Sequence, residues 1–282
     1  MAIPVNIPHF CKKGMTHAKE FINLIAYYDN LNDANITTRA LSIACFSNSK
    51  RFEHEFQDDF LRLLSKIHPD LKENTENATL TNRDKLAVLG IFSYQEYYPL
   101  SGCFTIRTTK GDISFASTQP YGLAIPGSVT DNILSIDFQA IKKIILIENM
   151  TNYNEYLHTE VKQTELIIYH GGFLSPQKQK FLQKLSASVP ADINVFFWAD
   201  IDIGGFRMFN KLSKIFSNIV PMRMSENEVK AYVKYGLTRE NPYLKKLEAL
   251  LECPDYHIFT NTIKMILKYR VTIEQEVFLL DN

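Results

Sequence analysis

The chain has 282 residues, 45% of them hydrophobic, which suffices for one large core or two ordinary ones and excludes wholesale disorder. Lys plus Arg and Asp plus Glu number 31 each, so the formal charge is zero. That excludes a histone-like protein that holds nucleic acid by bulk charge, while leaving a local site open. Cys11, Cys45, Cys103 and Cys253 form no CxxC pair, so reduced thiols are expected rather than a zinc ribbon or disulfide framework. Met1 to Phe10 has no charged start followed by an apolar run, so no signal peptide is expected. No apolar stretch reaches the roughly 18–20 residues of a membrane helix. A cytoplasmic protein without membrane contact is the expectation.

In chain order, Ala18 to Tyr28 places Phe21, Ile22, Leu24, Ile25 and Tyr28 on a helical face. Thr37 to Cys45 suits a second helix. Arg51 to Ile67 suits a third, with Phe52, Phe56, Phe60, Leu63, Leu64 and Ile67 at three- and four-residue steps, ended by Pro69. Asn74 to Thr81 is polar and predicts a loop. Shorter runs follow at Tyr97–Tyr98, Cys103–Arg107 and Ile113–Ala116, separated by Gly102 and a Lys110-Gly111-Asp112 turn. Helices followed by a small hairpin suit a winged-helix module or a generic α+β domain.

The second half has another rhythm. Ile144–Ile147, Leu166–Tyr169 and Val195–Trp198 are continuous apolar runs, the mark of strands buried on both faces. Ser175-Pro176 is a helix-start signal before Phe181, Leu182 and Leu185. Phe206, Phe209, Leu212 and Phe216 make a further helical face, and Ile219 to Met222 suits a fourth strand. Alternating strands and helices predict a mainly parallel α/β sheet. A boundary is expected near Ser128 to Ile136, giving domains 1–135 and 136–282.

The acids fall at the ends of these strands. The first run leads into Glu148, and the third into Asp200-Ile201-Asp202 followed by Gly204-Gly205. Ligands of open α/β sheets bind outside the carboxyl ends of the strands. An extended Asp200 to Asp202 would point both carboxylates the same way. Like charges so close need a positive partner, and a divalent metal is the usual one. An all-oxygen donor set suits Mg²⁺ or Mn²⁺ and displacement at phosphorus. The alternative is a salt-bridged Glu148 and an Asp pair that caps the next helix. The combination of three acids, two buried strands and a Gly pair favours convergence.

These motifs resemble a Toprim domain, the metal-binding fold of topoisomerases, primases and some nucleases. The strings Ile147-Glu148-Asn149, Tyr169-His170-Gly171-Gly172, Trp198 through Phe206, and Ile273-Glu274-Gln275-Glu276 further resemble the JetD family, the nuclease subunit of the Wadjet anti-plasmid system. So does Arg39 to Ser42 followed by Phe46 to Glu53. That family is similar to the A subunit of topoisomerase VI, which pairs a winged-helix (CAP-like) domain with a Toprim domain. The resemblance implies that Glu148, Asp200 and Asp202 bind Mg²⁺ or Mn²⁺ and catalyse phosphodiester cleavage in double-stranded DNA. Glu274 and Glu276 would complete or brace the metal site. Lys50, Arg51, Gly171, Gly172 and Lys178 are candidate DNA contacts. A homodimer, and an SMC-like JetABC complex as partner, are implied as well. The sequence departs from the family at Ser47 and Asn48, where Gly-Asp is usual, and at Ala199, where Gly is usual. The family also carries an additional N-terminal region for which this chain is too short.

Other features have plainer readings. Thr272 and Gln275 form a capping-box pattern, which predicts a helix start. Lys178, Lys180, Lys184, Lys211 and Lys214 suit either the DNA backbone or a solvated helix face. His170 suits proton transfer or a structural hydrogen bond. A topoisomerase-like transesterase would need a tyrosine nucleophile, for which Tyr94, Tyr97 and Tyr98 are the candidates; packing is their commoner role. A DNA-binding or complex-assembly module with a vestigial Toprim site is the remaining alternative.

Overall fold

The computed structural model describes residues 13–31, 35–69, 71, 80–116, 121–138 and 140–281. Cys11 and most of the loop expected over Asn74 to Thr81 lie outside these residues. The chain forms two compact units. One runs to Gln95 and includes Ser175–Gln177; the other comprises Glu96–Leu174 and the chain from Lys178 onward.

The first unit is helical: α1 (Met15–Asp29), α2 (Thr38–Phe46), α3 (Gln57–Ile67) and α4 (Asn82–Val88), with a short parallel pair between β1 (Ile36–Thr37) and β2 (Ile91–Phe92). Thr37 caps α2 by accepting the Ala40 N–H at 3.1 Å, and Thr81 with Asp84 forms a capping box on α4. The predicted third helix is not uniform. It opens as a π-helical turn over Phe52–Phe56 before α3 begins. That wider turn keeps Phe52, Phe56 and Phe60 all fully buried, with Phe56 stacked on His17 and Phe46 at 4.3 and 4.4 Å. Ser47 ends α2 in the left-handed region at φ 53°, a conformation glycine adopts without strain.

The second unit holds a six-stranded sheet and a three-stranded one. Its strands are β3 (Tyr97–Ser101), β4 (Thr105–Thr108), β5 (Gly111–Ser114), β6 (Leu123–Pro126), β7 (Ile133–Asp137), β8 (Lys143–Ile147), β9 (Glu165–Tyr169), β10 (Asn194–Trp198) and β11 (Ile219–Pro221). The large sheet has the order β11-β10-β8-β9-β3-β6, and β5-β4-β7 form the small one. Neighbours from β11 to β9 are parallel, whereas β3 and β6 join antiparallel. The architecture is mixed α/β with a mainly parallel large sheet. The hairpin expected beside the helices is β4–β5, and it pairs with β7 in this second unit. The stretch from Ser128 to Ile136, where a boundary is expected from sequence, forms part of a 3-10 turn and β7 within the same unit.

Helix α5 (Met150–Thr159) links β8 to β9, and α6 (Pro176–Ser188) links β9 to β10. Because β9 and β10 lie on opposite sides of β8, the strand order reverses at β8, and such a switch point opens a crevice at the carboxyl edge. The pairings Trp198↔Ile147 and Ile147↔Tyr169 bring β10, β8 and β9 to that edge flush. Ile144 to Ile147 are all buried, as a strand covered on both faces requires. The chain continues through α7 (Ile203–Ser213), α8 (Glu226–Tyr232), β12 (Leu237–Thr238), α9 (Asn241–Ala249), α10 (Thr260–Tyr269) and β13 (Val271–Thr272) to a 3-10 turn over Gln275–Asp281. Among the described residues no helix is long and apolar enough to cross a membrane.

Candidate functional site

Glu148 follows β8 directly, and its N–H continues the ladder by donating to the Trp198 carbonyl at 3.0 Å. That bond aligns Glu148 with the segment leaving β10. There Ile201 and Ile273 exchange main-chain hydrogen bonds at 2.8 and 3.3 Å. Asp200 and Asp202 flank this bridge. Asp200 Oδ1 accepts the Gln275 N–H at 2.7 Å. Asp202 is the N-cap of α7, and its Oδ1 accepts the Gly205 N–H at 2.9 Å. The helix-cap reading of the Asp pair therefore holds for Asp202. Its side chain does so from the carboxyl edge of the sheet, so capping and site membership are compatible.

The three acids sense one another. Burial pushes the Glu148 carboxyl up to about 8, reinforced by Asp200 and Asp202, while the Asp200 backbone N–H opposes the shift. Burial and then Asp202 push Asp200 up to about 7. Asp202 is also raised, mainly by burial, but the backbone N–H groups of Gly205 and Gly204 and the charges of Arg239 and Arg207 pull the other way. Glu148 Oε2 is buried with no hydrogen-bond partner. Among the described residues no group of three or more His, Cys, Asp and Glu side chains stands close enough together to hold a metal ion as it is.

The surroundings are polar and ordered. Asn149 caps α5 through its Oδ1, which accepts the Thr151 and Asn152 N–H groups at 2.7 and 3.1 Å. Its own N–H donates to Gln275 Oε1 at 3.0 Å, and its Nδ2 to Glu276 Oε1 at 2.6 Å. Tyr243 accepts the Ile203 N–H at 3.1 Å, and the Arg239 guanidinium lies 4.7 Å from the Tyr243 ring centre. The expected capping box is not formed. Thr272 instead accepts from Arg239 Nε at 2.7 Å, and Gln275 turns its side chain to Asn149. The Val271–Thr272 strand commits that backbone to β12, which leaves Thr272 no cap geometry.

The remaining sequence candidates separate. Glu276 reaches the site through Asn149, while Glu274 is exposed and acts on Asp200 through its charge. Gly171, at φ 72°, and Gly172 form the turn after β9, and a Cβ on Gly172 would lie 3.3 Å from Glu148 Oε1. Lys178 points its ammonium at the His170 carbonyl at 2.7 Å, and burial lowers its pKa. Lys180 pairs with Asp131 at 2.9 Å, and Lys184 donates to the Ile133 carbonyl at 2.7 Å. His170 is buried, with Nδ1 against the Gly171 carbonyl; burial and Lys178 push it down to about 3. It is neutral at physiological pH and belongs to the core. Lys50 and Arg51 belong to the first unit. Arg51 holds Glu20 with two hydrogen bonds at 2.7 and 2.8 Å and Glu55 with one at 3.1 Å. Tyr98 is buried, which drives its hydroxyl pKa far up; Tyr94 and Tyr97 are exposed.

Sequence reasoning quoted Asn149 and Gln275 within motifs without reading their bracing roles, and it missed Asn152, Arg207, Arg239 and Tyr243. Only Asn149 carried a local signal, an N-cap residue directly after a strand.

Two comparisons bear on identity. The chain is 28% identical over 260 residues to Wadjet protein JetD of Bacillus cereus (strain Q1), an alignment covering 91% of this chain and about 60% of that relative's length. The family model described as Wadjet protein JetD, C-terminal, matches residues 106–282. That span includes Glu148, Asp200, Asp202 and Gln275, and the chain belongs to this family.

Proposed function

We propose that the chain is a Mg²⁺- or Mn²⁺-dependent DNA endonuclease of a Wadjet-type defence system, acting on double-stranded plasmid or other foreign DNA. In this reading the second unit carries a Toprim-type site, and the helical unit is the winged-helix-like DNA-binding part. The observation that supports it is the placement of Glu148, Asp200 and Asp202 just beyond the flush ends of β8 and β10, where the strand order reverses.

The donor set fits a hard divalent cation. Glu148 Oε2 is a buried acceptor without a partner, and a carboxylate so placed is relieved by a cation. Asp200 Oδ1 and Asp202 Oδ1 accept main-chain N–H groups, which orients both carboxylates. Few protein ligands and an open face suit Mg²⁺, which keeps waters and meets substrate phosphates. A bound ion supplies positive charge for the scissile phosphate and lowers the pKa of water there. Glu148, Asp200 and Asp202 hold it. Arg207 and Arg239, whose charges reach Asp202, supply cationic surface for the DNA backbone. A homodimer would present two such sites to the two strands, and an SMC-like complex would deliver the DNA.

The test is plasmid nicking by the full chain with Mn²⁺ or Mg²⁺. Wild type should nick, and Glu148→Ala should not while remaining folded by circular dichroism. Equal nicking by both would overturn the assignment. The occupied Oδ1 atoms of the two aspartates favour one second reading, a DNA-binding or complex-assembly module with a vestigial site. A Mn²⁺ titration separates the two, because a filled site raises the melting temperature by mass action and a vestigial one leaves it unchanged.

A further inference from the structure

Gln275 is 1% exposed, although Glu274 and Glu276 on either side are exposed. It hydrogen-bonds three separate elements. Its N–H donates to Asp200 Oδ1 at 2.7 Å, after β10. Its Oε1 accepts the Asn149 N–H at 3.0 Å, after β8. Its carbonyl accepts from Asn152 Nδ2 at 2.9 Å, in α5. Two residues earlier, Ile273 is bridged to Ile201 between the two aspartates. The isolated Ile201–Ile273 bridge thus holds this segment beside the two aspartates, and Gln275 ties it to the turn that carries Glu148.

We propose that Gln275 is the positioning residue of the carboxylate site, fixing the Asp200 carboxylate and the main chain beside Glu148 in one geometry. The proposal rests on the metal-site reading and names a residue which that reading does not use. An amide suits the position. Its oxygen accepts the Asn149 N–H without adding a fourth negative charge to acids that already repel. Since Oε1 faces a donor, the other end of the amide is Nε2, and it is buried without a hydrogen-bond partner. Groups that orient metal ligands in this way commonly govern affinity as strongly as some ligands do.

The experiment compares wild type, Glu148→Ala, Gln275→Met and Gln275→Glu as full chains. Mn²⁺ binding is followed by calorimetry, and plasmid nicking across pH. Gln275→Met keeps the bulk and the N–H to Asp200 but loses the acceptor for Asn149. Its Mn²⁺ affinity should fall about 10- to 100-fold, with kcat falling likewise and KM for DNA unchanged. Gln275→Glu keeps the acceptor, so it should recover Mn²⁺ affinity and nicking relative to the Met variant. A Met variant that binds Mn²⁺ as tightly as wild type overturns the proposal while Glu148→Ala still loses binding. Should the Met variant fail to fold, Gln275→Asn, which shortens the side chain and withdraws the acceptor from Asn149, takes its place, and undiminished Mn²⁺ affinity in it overturns the proposal. If wild type itself neither binds Mn²⁺ nor nicks, the functional reading falls first and takes this proposal with it.

Discussion

The N–H of Gln275 meets Asp200 Oδ1 at 2.7 Å, so a main-chain donor, with no formal charge, orients the central acid of the site. Asp202 is oriented likewise by the Gly205 N–H. Fixed dipoles hold a carboxylate in place while only partly offsetting its burial, so the acids stay raised above their ordinary pKa values.

That imbalance sets a pH dependence. The ordinary carboxyl pKa values are 4.5 for Glu148 and 3.8 for Asp200, and in the fold they rise to about 8 and about 7. Between these limits the folded state binds more protons than the unfolded state, so unfolding free energy falls as pH rises. The contribution is complete below about pH 4 and gone above about pH 8. Glu148→Gln should therefore stabilise the metal-free protein at pH 8.5 by on the order of 2 kcal/mol or more, and much less at pH 4. Urea unfolding at both values checks this; equal effects at the two would contradict the shift.

Asp202 has two roles that substitution can separate. Asn remains a good N-cap and removes a buried charge, so Asp202→Asn should lose no stability above neutral pH yet lose Mn²⁺-dependent nicking. Asp202→Ala should lose nicking and about 1 kcal/mol of stability as well. Thermal melts beside nicking assays distinguish them.

Gly205 has no room for a side chain. A Cβ there would collide with the Asp200 carbonyl oxygen, and this neighbour is backbone. Gly205→Ala should cost about 1–3 kcal/mol and displace Asp200. Denaturant midpoints together with Mn²⁺ calorimetry should show both losses; a variant as stable as wild type would contradict the close approach.

Ser47 sits at φ 53° with its side chain exposed. The left-handed conformation costs an ordinary residue roughly 1–2 kcal/mol, and glycine gives back about 0.5–1 kcal/mol in chain entropy. Ser47→Gly should therefore stabilise the protein by about 0.5–1 kcal/mol, read as a higher urea midpoint at unchanged slope.

The four strands from Ile144 to Met222 were legible because continuous apolar runs mark buried parallel strands, and their terminal acids could be read directly. Strand order was not: nothing local in Val195 to Trp198 says that it crosses β8 to pair on the far side. Helix α5 went unread because its buried residues, Asn152, Tyr153, Tyr156 and Leu157, are mostly polar or amphipathic and give a weak apolar face. The role of Gln275 was hidden for a different reason. Its three bonds use a main-chain N–H, a carbonyl and one amide oxygen, and the partners Asn149 and Asn152 are distant in sequence. Lys178 shows the reverse error, since a lysine on a helix reads as surface until its ammonium is found on the His170 carbonyl.

The bond between Asn149 and Gln275 spans 126 residues of sequence. During synthesis β8 and β10 can pair long before Gln275 leaves the ribosome, but the acids stay unbraced until it does. A nascent or prematurely stopped chain would thus hold its carboxylates without the segment that orients them.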